Sequence, residues 1–81
     1  MGVLRVLSHH GDDKNEWNYP AVLTGDEEAQ RAIEEAERIF AEQRARGATA
    51  VRVAPGQPAQ RIDSFDPTAE EIVMIPRVVG G

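Results

Sequence analysis

The sequence predicts an α+β domain in which one amphipathic helix covers one face of a mixed sheet, and three observations carry that expectation. The segment TGDEEAQRAIEEAERIFAEQRARG, Thr24 to Gly47, places apolar side chains at helical spacing. Short stretches rich in branched residues lie before and after it. One of these, Ile72-Val73-Met74-Ile75, is apolar at every position and so belongs in the middle of a sheet rather than at its edge.

Taken in order, VLRVLS (Val3 to Ser8) is short and branched enough to be a strand, and HHGDDKN supplies turn chemistry after it. EWNY (Glu16 to Tyr19) reads as a second strand with Trp17 and Tyr19 on one side, which makes a hairpin. The helix is expected from about Thr24 to Arg46. Its start is marked twice: Thr24 and Glu27 have capping-box spacing, and Asp26 is an alternative N-cap. Ala29, Ala32, Ile33, Ala36, Ile39 and Phe40 form one apolar stripe, while Glu27/Arg31, Glu34/Arg38 and Glu42/Arg46 are pairs four apart on the helix. Gly47 suits the left-handed position that ends a helix. TAVRVAP (Thr49 to Pro55) and AQRIDSF (Ala59 to Phe65) flank the turn residues PGQP and read as a second hairpin. DPTAEE (Asp66 to Glu71) is a turn or short helical loop, and EIVMIP (Glu71 to Pro76) is the last strand.

The order is therefore β-β-α-β-β-β. With the first and last strands parallel at the centre and the hairpins outside, this is the β-grasp arrangement. Residues 1–79 are expected to form a single domain, because 81 residues leave no room for a second core, and Gly80-Gly81 a flexible tail.

Composition narrows the function classes. Hydrophobic residues make up 41% and charged residues 28%, an ordinary globular balance. The absence of cysteine removes disulfides, thiolate metal sites and cysteine nucleophiles, and a cytoplasmic location is expected. No apolar run approaches the length of a membrane span, so no membrane partner is expected. A formal charge of −5, from 14 acids against 9 bases, opposes nucleic-acid binding and suits a basic protein surface.

The sequence ends in IPRVVGG. A frayed terminus or a cloning remnant is the plain reading of such an end; a tail shaped to enter a narrow active site is the sharper one. The stretch SFDPTAEEIVMIPRVVGG, Ser64 to Gly81, resembles the C-terminal segment of the ubiquitin-like sulfur carriers, among them the small subunit of molybdopterin synthase. Glu70-Glu71-Ile72 matches the acidic lead-in, Val73 to Ile75 the apolar strand, Pro76-Arg77-Val78-Val79 the approach, and Gly80-Gly81 the end. Arg77 stands where those carriers usually have a second proline, and the N-terminal hairpin and the Arg- and Glu-rich helix are unlike theirs. Molybdenum cofactor synthesis is therefore not implied.

The resemblance implies a carrier or protein modifier that is a substrate and not an enzyme. Its Gly80-Gly81 carboxylate would be activated by a partner adenylating enzyme that uses ATP, with no cofactor bound to this chain. The product would be a sulfur donor or a conjugate with an acceptor protein. Val73, Ile75, Arg77, Val78 and Val79 would meet the partner. A second reading comes from another class: a small structural or interaction module, of accessory or phage type, that associates through the sheet face one helix leaves open.

Other constellations have plainer counterparts. His9 and His10 beside Asp12 and Asp13 suggest a metal site or a polar turn, and neighbouring strand residues point to opposite faces, which opposes joint ligation. Asp63, Asp66, Glu70 and Glu71 suggest acid–base carboxylates or a solvated rim. Ser8 beside His9 lacks a third residue to orient a base. Trp17 and Tyr19 suggest a binding platform or core packing.

Overall fold

The structure, a computed structural model, describes residues 1–8 and 11–77. Its elements run β1 (Gly2–Ser8), β2 (Gly11–Trp17), α1 (Tyr19–Leu23), α2 (Glu27–Ala45), β3 (Thr49–Val53), β4 (Gln60–Ile62) and β5 (Glu71–Ile75). The five strands form one mixed sheet in the order β2-β1-β5-β3-β4. β1 and β5 pair in parallel, with Leu4 opposite Ile72, and the other neighbours are antiparallel. The all-apolar strand is central, as its composition requires.

The first hairpin differs from expectation. β2 occupies Gly11–Trp17, so the Asp-rich segment read as a turn is strand, in register from Ser8 opposite Gly11 to Gly2 opposite Trp17. This is an edge strand, where charges such as Asp12, Lys14 and Glu16 are tolerated and discourage pairing with another chain. Tyr19 is not in that strand. Asn18 caps a short helix, its side chain accepting from the Ala21 amide at 3.2 Å, and Pro20 sits in the first turn, where a missing N–H costs nothing.

Thr24 closes α1 rather than opening α2, its hydroxyl donating to the Ala21 carbonyl at 2.8 Å. Asp26 is the N-cap of α2, and one carboxylate oxygen accepts from the amides of Glu28 and Ala29 at 2.9 and 3.2 Å. The helix ends as expected at Gly47, whose φ of +90° suits only glycine well. On its exposed face the pairing is redistributed. Arg38 pairs with Glu35 and Glu42 instead of Glu34. These are solvent-exposed pairs of small value.

Ala29, Ile33, Ala36 and Phe40 are the buried stripe of α2. Ile33, Ala36 and Phe40 join Leu4, Trp17, Ala48, Ala50, Ala69, Ile72 and Met74 in one core. Three of the core residues contributed from outside the helix are alanines, which lets the helix lie close on the sheet.

β4 is shorter than the expected Ala59 to Phe65, because the chain turns after Ile62 to carry Phe65 under the helix. There its ring meets Trp17 and Phe40, with centroids 5.2 and 5.9 Å away. Trp17 is 2% exposed and its indole Nε1–H donates to the Pro67 carbonyl at 2.8 Å. It is core, not a platform. Gly2 lies against the indole, and an added Cβ there would collide with the ring.

The loop into β5 is tied by Asp66. One carboxylate oxygen accepts from the Thr68 hydroxyl at 2.6 Å and the Thr68 amide at 2.9 Å, and the other faces Arg52 at 3.3 Å. The Thr68 hydroxyl, helped by the Thr68 amide and Arg52, holds the Asp66 carboxyl below its ordinary value against the opposing effect of burial.

Two expectations follow. Gly2→Ala should lower stability by about 1–3 kcal/mol in urea titrations, the usual cost of overpacking a core contact. For Asp66, a depressed folded pKa means that its stabilisation is present above the unfolded value of roughly 3.9 and disappears as pH falls through the lower folded value. Asp66→Asn should therefore be less stable than the parent near neutral pH and lose less stability on acidification below about pH 4, as read from unfolding midpoints across pH.

Candidate functional site

With Leu4, Ile72, Met74 and Ala50 directed at the helix, alternation turns the intervening residues to the opposite face. Arg5, Val73 and Val51 lie side by side across β1, β5 and β3 there. Val3, Leu7, Val53 and Ile75 extend the apolar area along the same strands. The helix covers none of it.

Val73 is half-buried between its neighbours, whereas Ile75 is 41% exposed and Leu7 37%. Arg5 sits among them and is neutralised in place. Its guanidinium contacts Asp12 at 2.9 Å across the hairpin and Glu71 at 3.0 Å across the parallel pair. The open face is thus apolar with a paired charge at its centre.

Beyond Ile75, Pro76 and Arg77 leave the sheet on the side of the C-terminus of α2. The Arg77 side chain runs over Gly47, where a Cβ would come within 3.1 Å of its Cδ. A groove opens beside this crossing, and Leu7, Ile75, Arg46 and Arg77 line it. Val73, Ile75 and Arg77 thus lie on or beside one connected surface. Val78, Val79, Gly80 and Gly81, the remaining members of the expected contact and activation set, lie outside the described residues, as do His9 and His10.

The proposed carboxylate cluster is dispersed. Asp63 is almost wholly exposed and pairs loosely with Arg44 at 3.4 Å, Asp66 organises its own turn, and Glu71 belongs to the Arg5 pair on the open face. No polar or charged residue among the described ones is fully buried. Asp12 is engaged by Arg5.

Arg5, Leu7, Arg46 and Gly47 were not among the residues expected to shape a contact surface. Alternation along Val3-Leu4-Arg5-Val6-Leu7 already separates Arg5 and Leu7 from buried Leu4, so part of this was readable. Arg46 and Gly47 come near Arg77 only through the tertiary fold. Among the described residues no helix is long and apolar enough to cross a membrane. Comparison with protein-family models, with curated proteins and with solved structures finds no match.

Charge on the open face should separate the two sides of β5. Val73→Asp and Ile75→Asp should keep cooperative unfolding, with Ile75→Asp within about 1 kcal/mol of the parent, while Ile72→Asp should abolish folding. Circular dichroism during urea titration distinguishes these outcomes, and loss of folding in all three would make both faces core.

Proposed function

We propose that this chain is a ubiquitin-like carrier or protein modifier of the β-grasp type, whose Gly81 carboxylate is activated by a partner adenylating enzyme. One observation supports it above the others: the strand order β2-β1-β5-β3-β4, with β1 and β5 parallel at the centre and one main helix on one face. That arrangement delivers the chain from the rigid centre of the sheet through Pro76 and Arg77 towards Gly80-Gly81. That Gly81 bears the reacting carboxylate is part of the proposal.

In the reaction, a carboxylate oxygen of Gly81 attacks the α-phosphorus of ATP and pyrophosphate departs, leaving an acyl adenylate. A sulfur nucleophile or an amine then attacks the acyl carbon and AMP leaves. The chain itself contributes no acid or base. Its part is presentation: two residues without Cβ let the enzyme's backbone approach the reacting carbonyl, and the open sheet face around Val73 and Ile75 supplies area for recognition. Whether the second nucleophile is sulfur or a lysine amine distinguishes sulfur carrier from protein tag.

Deleting Gly80 and Gly81 should leave thermal unfolding unchanged, since neither adds apolar burial, yet abolish pyrophosphate exchange with the cognate activating enzyme. Gly81→Ala should already slow it. Mass spectrometry of the cellular protein tests the C-terminus directly, through a mature chain ending at Gly81 or an adduct on it. Native activity that survives the deletion would overturn the proposal in favour of a structural module that associates through its sheet.

A further inference from the structure

We infer that the groove between the C-terminal ends of β1 and β5 and the end of α2 is a docking site for a protein segment that carries carboxylates beside an apolar side chain. The inference rests on the reading above, in which a partner enzyme receives the segment that follows β5, and it names the chemistry by which that partner is held.

Exposed apolar side chains and two unpaired arginines meet in this groove. Leu7 and Ile75 are the only large apolar side chains in the described strands classed as exposed, and both line the groove, with Val6 and Ala48 beneath. Arg46 and Arg77 line it as well. Among the described residues neither guanidinium has a carboxylate partner, unlike Arg5, Arg38, Arg44 and Arg52; Lys14, Arg31 and Arg61 are unpaired as well, and what sets Arg46 and Arg77 apart is that they stand together beside exposed apolar side chains. The end of a helix favours a nearby cation. That role is already filled, because Arg44 donates to the Ala48 carbonyl at 2.9 Å. Arg77 is held in place by its stem, which lies on Gly47, so its charged end needs no internal partner to be positioned.

Charge complementarity selects the occupant. A polyanion such as nucleic acid or an acidic membrane is repelled by the whole molecule at net charge −5 and by the glutamates along α2. Asp13 on the β2 wall of the groove adds to that repulsion and confines an incoming anion to the arginine side. A short segment with one or two carboxylates flanking an apolar residue meets both arginines and fills the space between Leu7 and Ile75, without carrying enough charge to be excluded.

The test uses the full chain and two capped hexapeptides, LDQFDL and its uncharged isostere LNQFNL, in nuclear magnetic resonance titrations. The acidic peptide should shift the Leu7 and Ile75 methyls and the Arg46 and Arg77 Nε–H signals, and the isostere should bind at least tenfold more weakly. The double variant Arg46→Gln/Arg77→Gln should lose tenfold or more in affinity at unchanged melting temperature, whereas Arg46→Lys/Arg77→Lys should keep most of it. Rising salt should weaken the acidic peptide alone. Equal binding of the two peptides, indifference to the Gln variant, or no binding at millimolar acidic peptide would overturn the docking site. Because peptide binding does not use Gly81, a chain lacking Gly80-Gly81 should bind equally well, so loss of the docking site and loss of the carrier function are read separately.

Discussion

The indole of Trp17, lodged against a glycine and bonded across the chain, holds the rest of the structure in register. Its ring lies where any side chain at Gly2 would stand and packs at a tilt against Phe65, and its Nε1–H donates to the carbonyl of Pro67, fifty residues away. One side chain therefore fastens the N-terminal hairpin to the loop that leads into β5. A parallel pair such as β1 and β5 has no tight turn to set its register, and the long connection between them must be ordered at an entropic cost. Burial of a large aromatic, with its polar atom satisfied, offsets part of that cost where the loop has to be placed.

With β1 and β5 set side by side, the two faces of the sheet take different roles. The helix face is packed by Leu4, Ile72, Met74 and the stripe of α2, with alanines at Ala36, Ala48, Ala50 and Ala69 permitting close approach. The opposite face repeats the apolar character of the central strands but has no helix above it. Arg5 is kept there by two carboxylates from different strands, Asp12 and Glu71, so the charge is balanced without being buried deeply. Val73 is half-buried on this face, and Leu7 and Ile75 are exposed.

The third consequence is directional. Because β5 is both the central strand and the last one, the chain emerges from the most constrained part of the sheet, and the contact of Arg77 with Gly47 guides it past the end of α2. The same glycine that ends the helix leaves room for the arginine stem.

Read alone, the sequence determined the amphipathic helix, the stripe through Ile33, Ala36 and Phe40, the glycine stop at Gly47, and the central place of Ile72 to Ile75. Each depends on periodicity or on the conformational freedom of one residue, and those are local properties. The Asn18-Tyr19-Pro20 cap of α1 was legible too, but strand-like alternation of Trp17 and Tyr19 obscured it. Only the tertiary structure made a strand of Gly11–Trp17, since an edge strand does not need apolar alternation and its signal resembles that of a turn. It alone shortened β4, because Phe65 gains more by packing between Trp17 and Phe40 than by continuing the ladder. The groove with Arg46 and Arg77 was likewise decided in three dimensions: thirty residues of sequence separate the two arginines, and the antiparallel pairing of β3 with β5, which sets Thr49 opposite Ile75, is what brings the end of α2 beside the exit of β5.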